Sequence, residues 1–180
     1  MTRAGEMGME REVGLRRLLL FGNSGSGKST LARHLAEREG LAHLDLDSVA
    51  WASASPPSRN PLEVSKGLID RFTDAHAGWV VEGCYADLLE LLLDRANELI
   101  YLDLPPGLCI ENARRRPWEP HKYSSRAAQD RNLQMLLGWI ADYPNRDDAC
   151  SEAAHRRLYA RFGGRKTLLS ENPSIEELPD

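Results

Sequence analysis

The 180-residue sequence lacks several features, and each absence removes a class of protein. No stretch approaches the ~18 consecutive apolar residues of a membrane-spanning helix. Residues 1–14 are too polar for a signal peptide and read as a frayed lead-in. Three cysteines, Cys84, Cys109 and Cys150, are an odd number without CxxC spacing. A disulfide framework is therefore not expected, and a reducing, cytoplasmic compartment is. The histidines form no HxH or HExxH pattern, so no zinc site is expected. Basic charge is not in excess: 23 Lys+Arg against 27 Asp+Glu leaves −4. That balance argues against a general nucleic-acid coat, and no basic patch interleaved with aromatics appears.

What is present is 42% apolar and 28% charged residues, enough for one buried core. Strands are expected at 18–21, 42–44, 79–83, 98–103 and 166–169. Helices are expected at 28–39, 62–77, 87–95, from Pro106 to about Arg116, at 125–143 and at 150–162. Leu31 and Leu35, for example, share a helix face, and Gly40 stops that helix. Pro56 and Pro57 make 52–60 a loop. Strands alternating with helices imply an α/β fold with a mostly parallel sheet covered on both faces. One domain is expected over 15–170, with a tail at 171–180.

The strongest motif lies between the first strand and its helix. Residues Gly22, Asn23, Ser24, Gly25, Ser26, Gly27, Lys28, Ser29 and Thr30 contain GxxxxGKS in full. Glycines here let successive backbone N–H groups turn inward around a phosphate. The helix N-terminus adds favourable potential for an anion. Lys28 suits the β- and γ-phosphates of ATP, and the Ser29 hydroxyl suits Mg²⁺. Thr30 reads more as helix surface. No NKxD guanine-reading motif occurs. The small size, without a second ATPase-type subdomain, points away from a motor or an AAA-type machine.

Asp45 and Asp47 follow the second strand. In an extended segment, residues two apart share a face, so both carboxylates are expected to look into the cleft. One of the two then suits a Mg²⁺ water and the other the hydroxyl of a phosphoryl acceptor. Glu82, ending the third strand, is a further candidate for the metal or its water, and Asp103 mimics its pattern. Arg114, Arg115 and Arg116 end a helix before the polar stretch from Trp118 to Ser125, which reads as an arginine-rich lid at about 115–125. Planar guanidinium groups meet the transferred phosphoryl group well, so Arg115, Arg116 and Arg131 are candidates. Arg59 suits an anionic acceptor. Trp51 and Tyr85 suit either an acceptor pocket or the core.

These stretches resemble the P-loop kinases of the nucleoside-monophosphate kinase and shikimate kinase group. GNSGSGKSTLARHLAE followed by LDLDSVAW is similar to the shikimate kinase arrangement, and WVVEGCY to the adenylate kinase strand end. His43, Leu44, Asp45, Trp51 and the run from Trp79 to Tyr85 also resemble small kinase-like DNA topology modulation proteins. The resemblance implies a three-layer P-loop NTPase fold with strand order 2-3-1-4-5. It implies a metal side at Ser29, Asp45 and Glu82, ranking Asp103 lower. It places acceptor contacts at Asp47, Arg59, Gly83 and Tyr85, and adenine between the lid base and 170–173. The chain lacks the glycine triplet and FRxxE element of shikimate kinases and the proline and arginine of the adenylate kinase run. ATP-dependent phosphoryl transfer to a small metabolite hydroxyl is the expectation. Alternatives are a nucleoside or nucleoside-monophosphate kinase and an ATP-binding regulatory protein with slow ATPase. The expected partners are ATP, Mg²⁺ and a small acceptor, with no membrane, no nucleic acid, and a monomer or homodimer.

Overall fold

Five short apolar runs become the strands of one parallel sheet. They are β1 (Arg17–Gly22), β2 (Ala42–Asp45), β3 (Trp79–Gly83), β4 (Glu98–Leu102) and β5 (Arg165–Leu169). A computed structural model of the chain describes residues 15–53, 57–120 and 123–174. The expected lead 1–14, Pro56, lid residues 121–122 and tail residues 175–180 lie outside the described residues. The strand order is β2-β3-β1-β4-β5, as the sequence implied. Chain order reverses at β1, which pairs with β3 on one side and β4 on the other. The helices are α1 (Lys28–Glu39), α2 (Asp47–Ala50), α3 (Leu62–Ala75), α4 (Ala86–Glu90), α5 (Pro106–Arg115), α6 (Arg126–Ala141) and α7 (Glu152–Arg161).

Alternation along the strands builds two cores. Leu18, Leu20, Val80 and Ile100 face Leu31 and Leu35 of α1, Cys109 of α5 and Ile140 of α6. Leu19, Phe21, Val81 and Tyr101 face Ile69 of α3, Leu88 of α4 and Leu158 of α7. Each fully buried Leu or Ile contributes about 1.5–3 kcal/mol, so covering both faces stabilises the layers together. The edge strand β5 keeps Arg165 and Lys166 exposed, which discourages pairing with another chain. Among the described residues no helix is long and apolar enough to cross a membrane.

Local boundaries differ from expectation in three places. β2 ends at Asp45 and Asp47 opens the short α2, so the two aspartates do not share a strand face. The reason is local: Asp45 Oδ1 accepts from the Asp47 N–H at 2.9 Å and turns the chain out of the strand. α4 stops at Glu90 rather than reaching Arg95. The expected loop 52–60 begins and ends in an antiparallel bridge between Trp51 and Arg59.

A polar chain crosses the α7 side of the sheet. His155 is fully buried, with Nε2 2.7 Å from the Cys84 carbonyl and Nδ1 2.7 Å from the Tyr143 hydroxyl. A carbonyl only accepts, so Nε2 carries the hydrogen and Tyr143 donates to Nδ1 of the neutral ring. The Tyr143 and Tyr101 hydroxyls are 3.0 Å apart, and Tyr101 donates to Asp103 Oδ1 at 2.9 Å. Asp103 also accepts from Arg156, which accounts for this carboxylate structurally.

Burial pushes the His155 pKa down to about 4. The unfolded chain takes up that proton near pH 6.5. The stability conferred by neutral His155 is therefore complete above pH 6.5 and is lost as pH falls toward 4, by about 3 kcal/mol. Urea unfolding at pH 7 and pH 4 should show this loss in the wild type and a loss smaller by about that amount in His155→Gln. Equal losses in the two proteins would show that His155 carries no such linkage.

Candidate functional site: a glycine-rich loop and the strand ends beside it

The loop from Gly22 to Gly27 leaves β1 at the reversal of strand order, where open α/β sheets bind ligands. Two glycines there are required by close approach. A Cβ on Gly22 would stand 2.4 Å from the Leu102 carbonyl oxygen, and one on Gly25, at φ +77°, 2.3 Å from that of Cys109. Gly27 caps α1 without a side-chain hydrogen bond, so the first N–H groups of the helix are left for an anion. Lys28 Nζ donates to the Asn23 carbonyl at 2.9 Å, inside the loop. Asn23 itself is buried and donates from its side chain to the Ile140 carbonyl at the end of α6. Asn112 of α5 donates to the Gly25 carbonyl and to Asn172 beyond β5, fastening three segments around the loop.

A cleft of about 500 Å³ opens over this loop. Gly25, Lys28, Ser29 and Thr30 form one wall; Asn112, Arg115, Arg116 and Trp118 form another; Asn172 and Pro173 close the end. Ser24 is half-buried, and the Ser26 hydroxyl is buried without a partner among the described residues. Arg116 pairs with Glu119 at 3.1 Å, whereas Arg115 is exposed and only 3.9 Å from Glu111. Arg131 is exposed on α6 and is not part of the cleft wall, because its helix packs through Leu137 and Ile140 instead.

On the other side of the loop stand the ends of β2 and β3. Glu82 is in register with Leu20 of β1 and Asp45 of β2, so these three share the sheet face covered by α1. Glu82 is 1% exposed, and its Oε1 has no hydrogen-bond partner among the described residues. His43 Nε2 lies 3.8 Å from it. A buried carboxylate oxygen beside Asp45, without a hydrogen-bond partner among the described residues, fits a hard cation or a cation-bound water, both of which favour oxygen ligands. Among the described residues no cluster of three or more metal-ligating side chains occurs.

Past Asp45 the chain builds a wall of aromatic and charged groups. The Trp51 indole donates to the Tyr85 hydroxyl at 2.8 Å, and Tyr85 donates to Asp47 Oδ1 at 2.7 Å. Burial, with Cys84 and Asp47 adding to it, pushes the Tyr85 phenol well above its ordinary value, so it stays a donor. Arg59 sits 4.6 Å from the Tyr85 ring centroid and pairs with Asp87 at 2.9 Å. Gly83 is buried, and a Cβ there would meet Leu46 at 2.8 Å, so packing accounts for this glycine.

The sequence profile of the AAA domain matches residues 18–134, which span the loop, β1 to β4 and the first half of α6. The chain belongs to the AAA domain family. That family describes the domain; the expectation against an AAA-type machine rested on the small size and the lack of a second ATPase-type subdomain, on which the match has no bearing. An uncharacterised protein of Bacillus subtilis (strain 168), YqaC, is 24% identical over 89% of this chain and 92% of its own length. A crystal structure of a sugar kinase from Janibacter sp. HTCC2649 superposes with a TM-score of 0.52 at 17% identity, covering 91% of this chain and 89% of that one. The fold is thus the P-loop, kinase-like one of ATP-binding proteins. The match to the shikimate and nucleoside-monophosphate kinase group is not carried further by these relatives.

Within this AAA domain the structure brings Gly25, Gly27, Lys28, Ser29, Thr30, Arg115 and Arg116 to one cleft, which Gly22, Asn23, Ser24 and Ser26 do not line, and joins Asp47, Tyr85 and Arg59 in a separate wall. Sequence reasoning missed Asn112, Asp87 and the contact of His43 with Glu82. His43 had a visible signal, since residue 43 shares a strand face with Asp45; Asn112 and Asp87 had none.

The two loop glycines give a sharp contrast in substitution. Gly25→Ala forces Cβ into the Cys109 carbonyl, whereas Gly27→Ala meets nothing within 4 Å and bears only the strain of φ +89°. Chemical denaturation should show a loss of about 1–3 kcal/mol for Gly27→Ala and a larger one for Gly25→Ala, which adds backbone displacement. Equal, small losses would mean that the loop does not press on α5.

Proposed function

We propose that the protein transfers the γ-phosphoryl group of ATP to a hydroxyl of a small metabolite. The observation that carries this reading is Asp47, held by the Tyr85 hydroxyl on the far side of the loop from the cleft. The electrostatics of Cys84 support the same picture. Its thiol is held high mainly by its hydrogen bond to Cys150 and by burial, and Lys28 and Asp47 both act on it as well.

In the transfer the acceptor oxygen bonds to the γ-phosphorus, the bond from that phosphorus to the β–γ bridging oxygen breaks, and the hydroxyl proton goes to Asp47. Positioning and charge stabilisation carry most of the rate. The loop N–H groups and Lys28 hold the phosphates. Arg116, once released from Glu119, and Arg115 are placed to meet the charge of the γ-oxygens; Arg131 is the weaker candidate. Ser29, Asp45 and Glu82 are the residues that would hold Mg²⁺ or its waters, and that ion supplies charge neutralisation of the phosphates. Arg59, Tyr85 and Trp51 form the acceptor wall, with Gly83 keeping its turn tight. Adenine would lie against Trp118 and Pro173.

The test is ADP release from Mg-ATP across shikimate, gluconate, nucleosides, nucleoside monophosphates and aminoglycoside-like alcohols. One acceptor should raise turnover about 10²-fold or more over water, and Lys28→Ala should abolish the gain. Asp47→Asn should lower kcat by about 10²–10⁴-fold while leaving ATP affinity within a factor of about two. Slow release unaffected by every acceptor would favour the ATP-sensing alternative, and undiminished turnover in Lys28→Ala would remove the site assignment.

A further inference from the structure

Two guanidinium groups near the acceptor wall carry N–H groups that the protein itself does not use. Arg146, in the turn between α6 and α7, lies 3.2 Å from the centroid of the Trp139 ring. Its Nε and Nη2 donate to Asp148 at 2.7–3.1 Å. The side chain is only 6% exposed, yet Nη1 is buried with no partner among the described residues. Arg59 repeats the arrangement. Its Nη2 donates to Asp87 Oδ2, its plane covers Tyr85, and its Nε is buried without a partner among the described residues. Asp87 Oδ1 is buried and open in the same way.

These groups belong to one locus. The Ala86 N–H donates to the Ala149 carbonyl at 2.9 Å, which clamps the start of α4, with Asp87, to the turn bearing Arg146 and Asp148. Cys150 follows Ala149 in this turn, and its thiol, lowered first by the hydrogen bond from Cys84, is lowered further by both Arg146 and Arg59. Cys84 in turn connects this locus to Lys28 and Asp47.

Buried donors without partners are rare, because each forfeits its hydration. Both forks are already oriented by an aromatic ring on one side and a carboxylate on the other. Such preset forks suit planar or tetrahedral oxyanions. The ATP cleft is not their target, since neither arginine lines it. Each arginine is balanced by its own aspartate, so the locus is electrically neutral before a ligand arrives. The open groups are then donors on two cations and a single acceptor on Asp87.

We infer that this locus binds the anionic end of a hydroxylated organic acid or phosphate monoester. Arg146 Nη1 and Arg59 Nε donate to its oxyanion, and Asp87 Oδ1 accepts one of its hydroxyls. This rests on the reading of this side as the acceptor side, and it narrows the acceptor to anions.

The experiment is calorimetric titration of the intact protein with glycerol 3-phosphate, glycerate and neutral glycerol, with and without saturating Mg²⁺ and the non-hydrolysable ATP analogue AMP-PCP. At least one charged probe should bind the AMP-PCP complex ten-fold or more tighter than glycerol, and the tighter of the two names the oxyanion. Arg146→Met should weaken that probe ten-fold or more while AMP-PCP affinity stays within two-fold. Asp148→Asn removes the ion pair but keeps the fork, and should retain the probe. Charged probes that bind no tighter than glycerol would overturn the inference. So would Arg146→Met behaving as wild type, or Asp148→Asn losing as much as Arg146→Met, the mark of a structural role. Should Arg146→Met fail to fold, Arg59→Met, at a more exposed side chain, carries the same expectation. Loss of AMP-PCP binding in the wild type would overturn the phosphoryl-transfer reading instead, and the titration without nucleotide would then decide the anion site by itself.

Discussion

The contact on which the rest depends is backbone against backbone. Gly22 presses on the end of β4 and Gly25 on α5, each so close that a methyl group would overlap a carbonyl oxygen. Asn23 and Asn112 then stitch the same loop to α6 and to the segment after β5. A loop held on several sides by its own main chain keeps its N–H groups aimed inward without a ligand to order them. Preorganised donors of that kind are what anion binding and phosphoryl transfer draw on. The two apolar cores serve this contact by fixing β1, β4 and α5 relative to one another.

The reversal of strand order at β1 divides the site into two unlike halves. Toward β4 the loop faces α5, the arginines at its end and the Asn172 segment, an open cleft lined in part by arginine and asparagine side chains. Toward β3 it faces Asp45, Glu82 and the wall of Trp51, Tyr85 and Arg59, where aromatic rings fix charged groups in place. An open half suits a large, exchangeable nucleotide. A rigid half with oriented carboxylates and forks suits recognition of a small molecule through a few directed bonds.

Much of this was legible before any coordinates. The strand and helix sequence, the glycine loop and the parallel sheet follow from apolar runs, breakers and a motif whose spacing is set by phosphate geometry. Asp45 and Asp47 were legible as a pair but not in their geometry, because one side-chain hydrogen bond turns the strand into a helix between them. Arg131 drew attention by its position after the arginine run, yet the packing of α6 through Leu137 and Ile140 leaves it exposed. Asp103 looks like Glu82 in sequence, but register separates them: Glu82 is partnered by Leu20 and Asp45, whereas Asp103 lies past the end of β4 and ends a tyrosine chain.

The sequence by itself determined the class of fold and the phosphate loop, since both rest on short-range rules: periodicity, φ preferences and a nine-residue motif. Only the tertiary structure decided which distant residues share a floor. Arg59 and Arg146, 87 positions apart, come to one locus because Arg59 pairs with Asp87 of α4 and the start of α4 is hydrogen-bonded to the turn before α7. Burial did the remaining selection. It leaves the Glu82 oxygen and the Arg146 nitrogen without a partner among the described residues, while the buried His155 ring has a partner at each nitrogen, and no local pattern records which polar atoms end up dry.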